Sequence, residues 1–216
     1  MSYLSKYKKK DFKRVAWEDC AKNWEGLGRK ILTYIKKNNI VIDAVVPILR
    51  GGSLPGGFLA YKLGVLKIIP VQYKYFFAGD KAELKAILPL NAANLSKKPT
   101  ILLVEGNHCF GVTASVAGKD IKKLIPGCKI LYAADHMDYS YQKNEFADEI
   151  FYGLLTNDCL VLNPEQAKKK GIYPYSYIMP WEKMEEEWET VNAKQFKYAD
   201  MNDGGKSYET KASIDL

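Results

Sequence analysis

The stretch ILLVEGNHCFGVT, from Ile101 to Thr113, decides the fold. Four apolar residues run straight into Glu105, and a short polar turn then ends in Gly111 and Thr113, just before AGKDIKKLI. This order of residues predicts a buried strand, a tight loop and the start of a helix. Such a loop offers backbone N–H groups, the positive end of a helix dipole and one hydroxyl to a phosphate.

A second strand, loop and helix precede this stretch. The run VIDAVVPIL, residues 41–49, is almost continuously apolar and rich in β-branched residues, as expected of a parallel strand covered on both faces. Arg50-Gly51-Gly52 follows directly, and SLPGGFLAYKLG then predicts a short helix closed by Gly64. In parallel sheets, ligands bind at the carboxyl ends of the strands, where both loops should lie.

The remaining pattern predicts an α/β protein with a mostly parallel central sheet. Apolar residues three or four apart predict an amphipathic helix from Trp17 to Asn38. Further strands are predicted at 65–77, 129–135, 149–156 and 176–181, and a short acidic helix at 184–191, before a polar tail from Ala193 to Leu216.

One connection is unusually long. The segment from Gln72 to Lys98 exceeds what a compact domain normally leaves between strands. Such a connection is typical of a functional lid or of a segment with its own structure, and we favour the lid.

Composition limits the classes of protein. The chain has 216 residues and a net charge of +7, with 32 basic residues interleaved with 25 acidic ones. The only dense basic run, KYKKKDFKR at residues 6–14, is interpreted as a solvated face or flexible arm, with a nucleic-acid contact as the alternative. A basic balance also suits a small polyphosphate substrate.

The four cysteines show neither a CxxC pair nor a spacing that suggests zinc or a disulfide framework. The sequence has no signal-peptide pattern and no apolar run of membrane-spanning length. We therefore expect a cytoplasmic protein with reduced thiols and no membrane partner.

Together these motifs resemble the type I phosphoribosyltransferases. The resemblance rests on the strand that runs into RGG, the long loop, and the second strand with an acid, a turn and Gly-x-Thr. In addition, YIMPWE, from Tyr177 to Glu182, looks like the hood segment of the hypoxanthine, guanine and xanthine branch. The resemblance covers roughly residues 15 to 190. We expect a single domain of residues 1–192, with a core at 40–137 and a hood built from 1–39 and 138–192.

The resemblance implies a phosphoribosyl pyrophosphate (PRPP) site with Mg²⁺ as cofactor. It assigns pyrophosphate to Arg50, Gly51 and Gly52, where one peptide bond is expected to be cis. It assigns the 5′-phosphate to the loop of Cys109, Phe110, Gly111, Val112 and Thr113. Glu105 would bind the ribose hydroxyls and contribute to the metal shell, so Glu105 and Arg50 are candidate catalytic residues.

The hood implies a base site. Tyr177, Ile178 and Trp181 match the segment that supports a planar purine. After the fourth predicted strand, where oxopurine enzymes place a lysine, this chain has Ala134 or Asp135. A carboxylate at that point would accept from an amino group, so we hypothesise an amino-bearing base or a changed ligand.

The chain departs from the family motif at several acids. Gly106 stands at the second ribose acid, Cys109 at the third acid and Phe110 at a small hydroxyl residue. The third acid handles the proton of the base, a role typically worth about 10²- to 10⁴-fold in rate. His108 is next to it and is therefore a candidate catalytic base.

The expected function is Mg²⁺-dependent transfer of phosphoribose from PRPP to a purine-like base, giving a nucleoside monophosphate and pyrophosphate, as in purine salvage. The alternative is a catalytically impaired homologue that binds PRPP or a nucleotide as a sensor. A third interpretation is an RNA-binding regulator, which the basic run favours. The resemblance also implies a homodimer.

Overall fold

The computed structural model describes residues 12–78, 81–142 and 145–182. Its elements in chain order are β1 (Phe12–Arg14), α1 (Trp17–Lys37), β2 (Ala44–Leu49), α2 (Ser53–Leu63), β3 (Val71–Ala78), β4 (Lys81–Leu88), β5 (Thr100–His108), α3 (Val112–Leu124), β6 (Lys129–Asp138), β7 (Glu149–Thr156), α4 (Pro164–Lys169) and β8 (Ser176–Ile178). A six-stranded sheet has the order β4-β3-β2-β5-β6-β7 and is parallel except for the β3–β4 pair. The predicted α/β class with a mostly parallel sheet is confirmed.

Helices cover both faces of this sheet. On one face Leu102 of β5 packs in a cluster with residues of α1 and α2. On the other face Leu103 packs in a cluster with residues of α3. Both leucines are fully buried, and burying each such side chain contributes about 1.5–3 kcal/mol relative to exposure. Because neither face of β5 meets water at residues 101–104, this part of the strand is continuously apolar rather than alternating.

Helix α1 matches the predicted helix but connects two parts of the structure. Leu27 and Ile31 are fully buried against the main sheet, whereas Cys20 and Trp24 pack with Met179 of the hood. Trp17, which the pattern placed on the buried stripe, is 53% exposed. The helix therefore belongs to the core as much as to the hood. Strand β7 also belongs to the main sheet, although it lies beyond residue 137, where the predicted core ended.

The long connection is not a free loop. Residues 81–88 form β4, which pairs antiparallel with β3 at the edge of the main sheet. Leu84 and Ala86 are partly buried against the core, while Lys85 between them is exposed. This alternation is the ordinary pattern of a half-buried strand, so the connection from Gln72 to Lys98 has structure of its own, which was the alternative to the favoured lid.

The hood contains a two-stranded parallel sheet of β1 and β8. Arg14 of the basic run donates from Nη1 to the carbonyls of Met179 and Pro180, at 3.1 Å each. The predicted acidic helix and the polar tail lie outside the described residues. Among the residues that the structure describes, no helix has the length and apolar character needed to cross a membrane.

The turn between β2 and α2 fits closely against β5. A Cβ atom at Gly52 would lie 2.3 Å from the Val104 carbonyl oxygen and 2.8 Å from that of Ile48. Real Cβ atoms do not approach backbone oxygens so closely, so a side chain at this position must displace the strand or the turn.

We expect Gly52→Ala to lower the free energy of unfolding by about 1–3 kcal/mol because of this overlap. Gly57→Ala is the matched control, since that glycine lies within α2 and a Cβ there meets no atom within 4 Å. The control should gain roughly 0.5–1 kcal/mol from its higher helix propensity. Urea denaturation of both variants measures the difference, and equal stabilities would contradict the contact.

Candidate phosphate-binding site at the ends of β2 and β5

The first loop of the site is the turn from Arg50 to Gly52. The Leu49–Arg50 peptide bond is cis, as the resemblance implied for this turn. The Arg50 carbonyl accepts from the backbone N–H of Ser53 at 3.0 Å and from its hydroxyl at 2.6 Å, and Gly52 N–H donates to Ile48 at 2.8 Å. These bonds fix the backbone of the turn, while the Arg50 side chain is exposed at the carboxyl end of β2.

The second loop follows β5 and opens α3. Gly111 has φ of +68°, a conformation that favours glycine, and it precedes the first helical residue. The first helical hydrogen bond runs from Ser115 N–H to the Gly111 carbonyl. The N–H groups of residues 112–114 therefore lie in the first turn, where the helix itself supplies no acceptors. This is the arrangement that binds anions at helix N-termini.

The RGG turn touches the end of β5, just before the second loop, through the two backbones. A Cβ atom at Gly106 would lie 2.6 Å from the Gly51 carbonyl oxygen. The sequence comparison with the family motif treated Gly106 as a lost acid. The structure supplies a physical reason, because any side chain at this position would collide with the RGG turn.

Glu105 is held by a chain of hydrogen bonds. Its Oε2 atom accepts from the Tyr132 hydroxyl at 3.0 Å, and that hydroxyl lies 2.8 Å from His108 Nδ1. His108 Nε2 lies 3.0 Å from the Tyr141 carbonyl oxygen, which can only accept, so Nε2 carries a proton. Tyr132 is fully buried, which fixes the position of the Glu105 carboxyl group.

This geometry argues against His108 as the base that accepts the substrate proton. Both ring nitrogens are engaged and the side chain is only 2% exposed. Burial also lowers the pKa of His108. Its position supports Glu105 through Tyr132, and sequence adjacency to the phosphate loop could not reveal that the side chain points into the core.

Burial raises the pKa of Glu105 to about 7, against the opposing effect of the Tyr132 hydrogen bond. The group therefore titrates near neutral pH when no ligand is bound. As a carboxylate it can accept from two ribose hydroxyls, and as an acid it can donate to Tyr132.

On the predicted base side, the aromatic residues contact one another. The Tyr177 ring lies 4.6 Å from the ring of His136 at an interplanar angle of 32°, and 4.6 Å from that of Tyr173. Trp181 lies 5.3 Å from Trp17 and 6.4 Å from Trp24. Ile178 is fully buried. The structure thus brings the hood residues together and fixes their rings within the hood.

Asp135 is only 2% exposed, and its carboxylate is already engaged. Asn23 of α1 donates from Nδ2 to the Asp135 side chain and, at 2.7 Å, to its backbone carbonyl. A Cβ at Gly153 of β7 would lie within 2.5 Å of the Asn23 amide atoms, so the glycine provides the space for it. Sequence reasoning missed Asn23 and Gly153, because their contact joins residues far apart in the chain.

A buried polar group lies below Tyr177. His136 is 1% exposed and its Nδ1 atom is 3.7 Å from Asp135 Oδ2. Burial alone would lower the pKa of His136, but the carboxylates of Asp135 and Asp158 raise it. His136 is an interior residue of β6, one position beyond the strand predicted at 129–135.

The residues of the site fit Mg²⁺ only if a substrate supplies most of the ligands of the ion. Among the residues that the structure describes, no group of three or more histidine, cysteine or acidic side chains could hold a metal. Glu105 is one partly exposed carboxylate at the loop junction. One protein carboxylate with phosphate oxygens and waters is a common shell for Mg²⁺.

The order of the strands and the two loops identify the fold. The chain has the type I phosphoribosyltransferase fold, with a purine phosphoribosyltransferase among its structural neighbours. That enzyme, from Pyrococcus horikoshii, has a TM-score of 0.58, 19% identity, and coverage of 80% of this chain and 95% of the other.

Two further solved structures are similar. The Helicobacter pylori xanthine-guanine-hypoxanthine phosphoribosyltransferase has a TM-score of 0.59 and 16% identity, covering 83% of this chain and 99% of its own. A hypothetical protein from Neisseria gonorrhoeae with bound ppGpp has a TM-score of 0.60 and 16% identity, covering 85% and 97%. A comparison with protein-family models gives no match, and neither does a comparison with curated proteins.

The raised pKa of Glu105 predicts a pH-dependent stability. Between its usual pKa of 4.5 and its folded value of about 7, the unfolded chain releases this proton while the folded chain keeps it. Stability contributed by the neutral group is therefore present below pH 4.5 and lost as the pH rises through about 7. Glu105→Gln removes the ionisation and keeps an acceptor for Tyr132.

We expect the stability of Glu105→Gln relative to the wild type to be about 1–3 kcal/mol more favourable at pH 8 than at pH 5. Urea denaturation of both proteins without ligand or Mg²⁺ measures this difference. The pH 5 pair is the internal control for packing effects of the substitution. An equal difference at both pH values would contradict the buried titration.

Proposed function

We propose that this protein is a phosphoribosyltransferase that uses Mg²⁺ and PRPP to convert a purine-like base to its nucleoside monophosphate. The observation that carries the proposal is the position of two anion-binding loops, Arg50 to Gly52 and Cys109 to Thr113, after the neighbouring strands β2 and β5, with the first loop in backbone contact with the end of β5. A substrate with one phosphate at C5′ and a pyrophosphate at C1′ matches two such loops. The shared fold supports the same proposal.

The proposed 5′-phosphate site uses the start of α3. The N–H groups of residues 112–114 and the hydroxyl of Thr113 donate to the phosphate, and the helix dipole favours its charge. The proposed pyrophosphate site uses the N–H groups of the RGG turn and the Arg50 guanidinium, which can bind two oxygens at once.

In the reaction, a ring nitrogen of the base forms a bond to C1′ while the bond from C1′ to the pyrophosphate oxygen breaks. The electron pair of that bond leaves with pyrophosphate, and the base passes its proton to water or to the released pyrophosphate. Arg50 stabilises the charge that develops on the leaving group. Glu105 accepts from the ribose hydroxyls and holds the sugar in place, and Tyr132 orients that carboxylate.

Mg²⁺ would supply positive charge to the pyrophosphate, with Glu105 as its protein contact. The amino-bearing base predicted from Asp135 receives no support from a direct contact, because this buried carboxylate is bonded to Asn23. Pyrophosphate release measured with each base decides among the purine-like bases.

A nucleotide sensor is the second candidate function. Three observations favour it: Gly106 cannot carry the second acid without a collision, Cys109 replaces the third, and His108 is buried. The similar Neisseria gonorrhoeae structure contains ppGpp, which carries a diphosphate group at each of two sugar positions. A sensor would bind PRPP or such a nucleotide without releasing pyrophosphate.

Pyrophosphate release distinguishes the two functions. The protein is incubated with Mg²⁺, PRPP and each of adenine, guanine, hypoxanthine, xanthine, uracil and nicotinamide, beside a calorimetric titration of PRPP and ppGpp. We expect release that depends on a purine and is reduced by Glu105→Ala. Binding without release identifies the sensor. The absence of both binding and release would contradict both functions.

Thr113→Val tests the phosphate loop. Loss of the hydroxyl removes one hydrogen bond to a charged group, so we expect PRPP to bind more weakly by about 1–3 kcal/mol, or about 5- to 150-fold. Thr33→Val is the matched control, since that hydroxyl is exposed on α1 and donates to Arg29 O at 2.9 Å. Equal affinities for the two variants would argue against the loop assignment.

A further inference from the structure

Two thiols far apart in the sequence meet beside the phosphate loop. The Sγ atoms of Cys109 and Cys159 lie 3.5 Å apart, although 50 positions separate them in the chain. Cys109 belongs to the loop between β5 and α3, and Cys159 belongs to the turn after β7. Cysteine spacing alone gave no sign of this pair.

The environments of the two thiols differ. Cys109 is partly exposed to solvent, while Cys159 is 2% exposed. The backbone N–H of Cys159 donates to Asp138 Oδ2 at 2.7 Å, and Leu160 N–H closes the turn on Asn157 at 2.9 Å. An oxidant can therefore reach Cys109 first, and the thiol of Cys159 lies next to it in a turn held by hydrogen bonds.

We propose that Cys109 and Cys159 are a modification site, a pair that a peroxide oxidises to a disulfide that distorts the phosphate loop. In the first step the Cys109 thiolate attacks one peroxide oxygen and the O–O bond breaks, giving a sulfenic acid and hydroxide. The Cys159 sulfur then attacks the Cys109 sulfur, the S–O bond breaks and water leaves. In total, two thiols and one hydrogen peroxide give one disulfide and two waters.

The bond requires the two sulfur atoms to approach each other beside a tightly packed loop. The sulfur atoms must approach from 3.5 Å to about 2.05 Å, a shift of about 1.5 Å. A Cβ at Gly111 would lie 2.3 Å from His108, so the loop already packs tightly on that ring. His108 is fixed in turn by Tyr132 and Tyr141. Displacement of Cys109 therefore moves the backbone that precedes α3.

The consequence for ligand binding rests on the proposed function, whereas formation of the disulfide does not. If the N–H groups at the start of α3 hold a phosphate, a shift of the loop that precedes them changes the geometry of several hydrogen bonds at once. Oxidation should then weaken the binding of PRPP, and reduction should restore it.

The other two cysteines serve as internal comparisons. Burial raises the pKa of Cys20 to about 11 and also raises that of Cys128. The thiolate is the reactive form, so both should react slowly. Neither makes an Sγ contact with another cysteine among the hydrogen bonds of the described residues.

The first measurement maps the disulfide. The full chain is reduced, treated with increasing hydrogen peroxide, blocked with an alkylating agent and digested without reductant. We expect a cross-linked peptide containing Cys109 and Cys159, which disappears after dithiothreitol. Cys128→Ala, distant from the pair, should cross-link as the wild type does, and Cys159→Ser should stop at Cys109 sulfenic acid. A wild-type Cys109 that is oxidised yet never joined to Cys159 overturns the proposal.

The second measurement titrates PRPP with Mg²⁺ into reduced, oxidised and re-reduced wild-type protein. We expect at least a tenfold loss of affinity on oxidation and full recovery on reduction. Equal affinity of reduced and cross-linked protein overturns the effect on the loop. If the reduced protein does not bind PRPP at all, the proposed function fails, and the mapping still decides whether the thiols form the pair.

Discussion

The site depends on the contact between the backbones of Gly51 and Gly106. Two neighbouring parallel strands, β2 and β5, end together, and the turn after β2 lies directly against β5. A Cβ at Gly52 or Gly106 would come within 2.6 Å of a backbone oxygen, so both positions require glycine for reasons of space. This approach places the RGG turn against the last residues of β5, which lead into the loop before α3. It also explains why the motif lacks an acid at position 106.

The remaining side chains of the site are set by the core beneath it. Glu105 lies at the end of an apolar strand, and the buried Tyr132 and His108 hold its carboxyl group from below. Burial raises the pKa of this acid to about 7, which is a cost to folding at neutral pH that a structural residue would not need. The cost is compatible with a group that meets a polar ligand. In the same way, Asn23 donates hydrogen bonds to Asp135, and Gly153 leaves the space that Asn23 occupies. Tyr132 connects Glu105 to the interior of the sheet.

The sequence predicted the parts that depend on local pattern. The apolar run at 101–104, the helix that starts at Val112 and the helix from Trp17 follow from periodicity and glycine position, and all three are present. Contacts between segments that are distant in the chain could not be predicted from the sequence. The β3–β4 pairing was not predicted because lysines dilute the alternation of residues 81–88, and the burial of His108 was not predicted because adjacency in sequence does not give side-chain direction. The Cys109–Cys159 contact likewise joins two strand ends that only the sheet order brings together.

A crystal structure of the protein with PRPP and Mg²⁺ tests the central claim, that the loops after β2 and β5 together bind a sugar that carries a phosphate and a pyrophosphate. The account predicts the 5′-phosphate within hydrogen-bond distance of the N–H groups of residues 112–114, the pyrophosphate against residues 50–52, and the ribose hydroxyls at Glu105. A ligand bound elsewhere, or a single phosphate bound with the RGG turn empty, would contradict it.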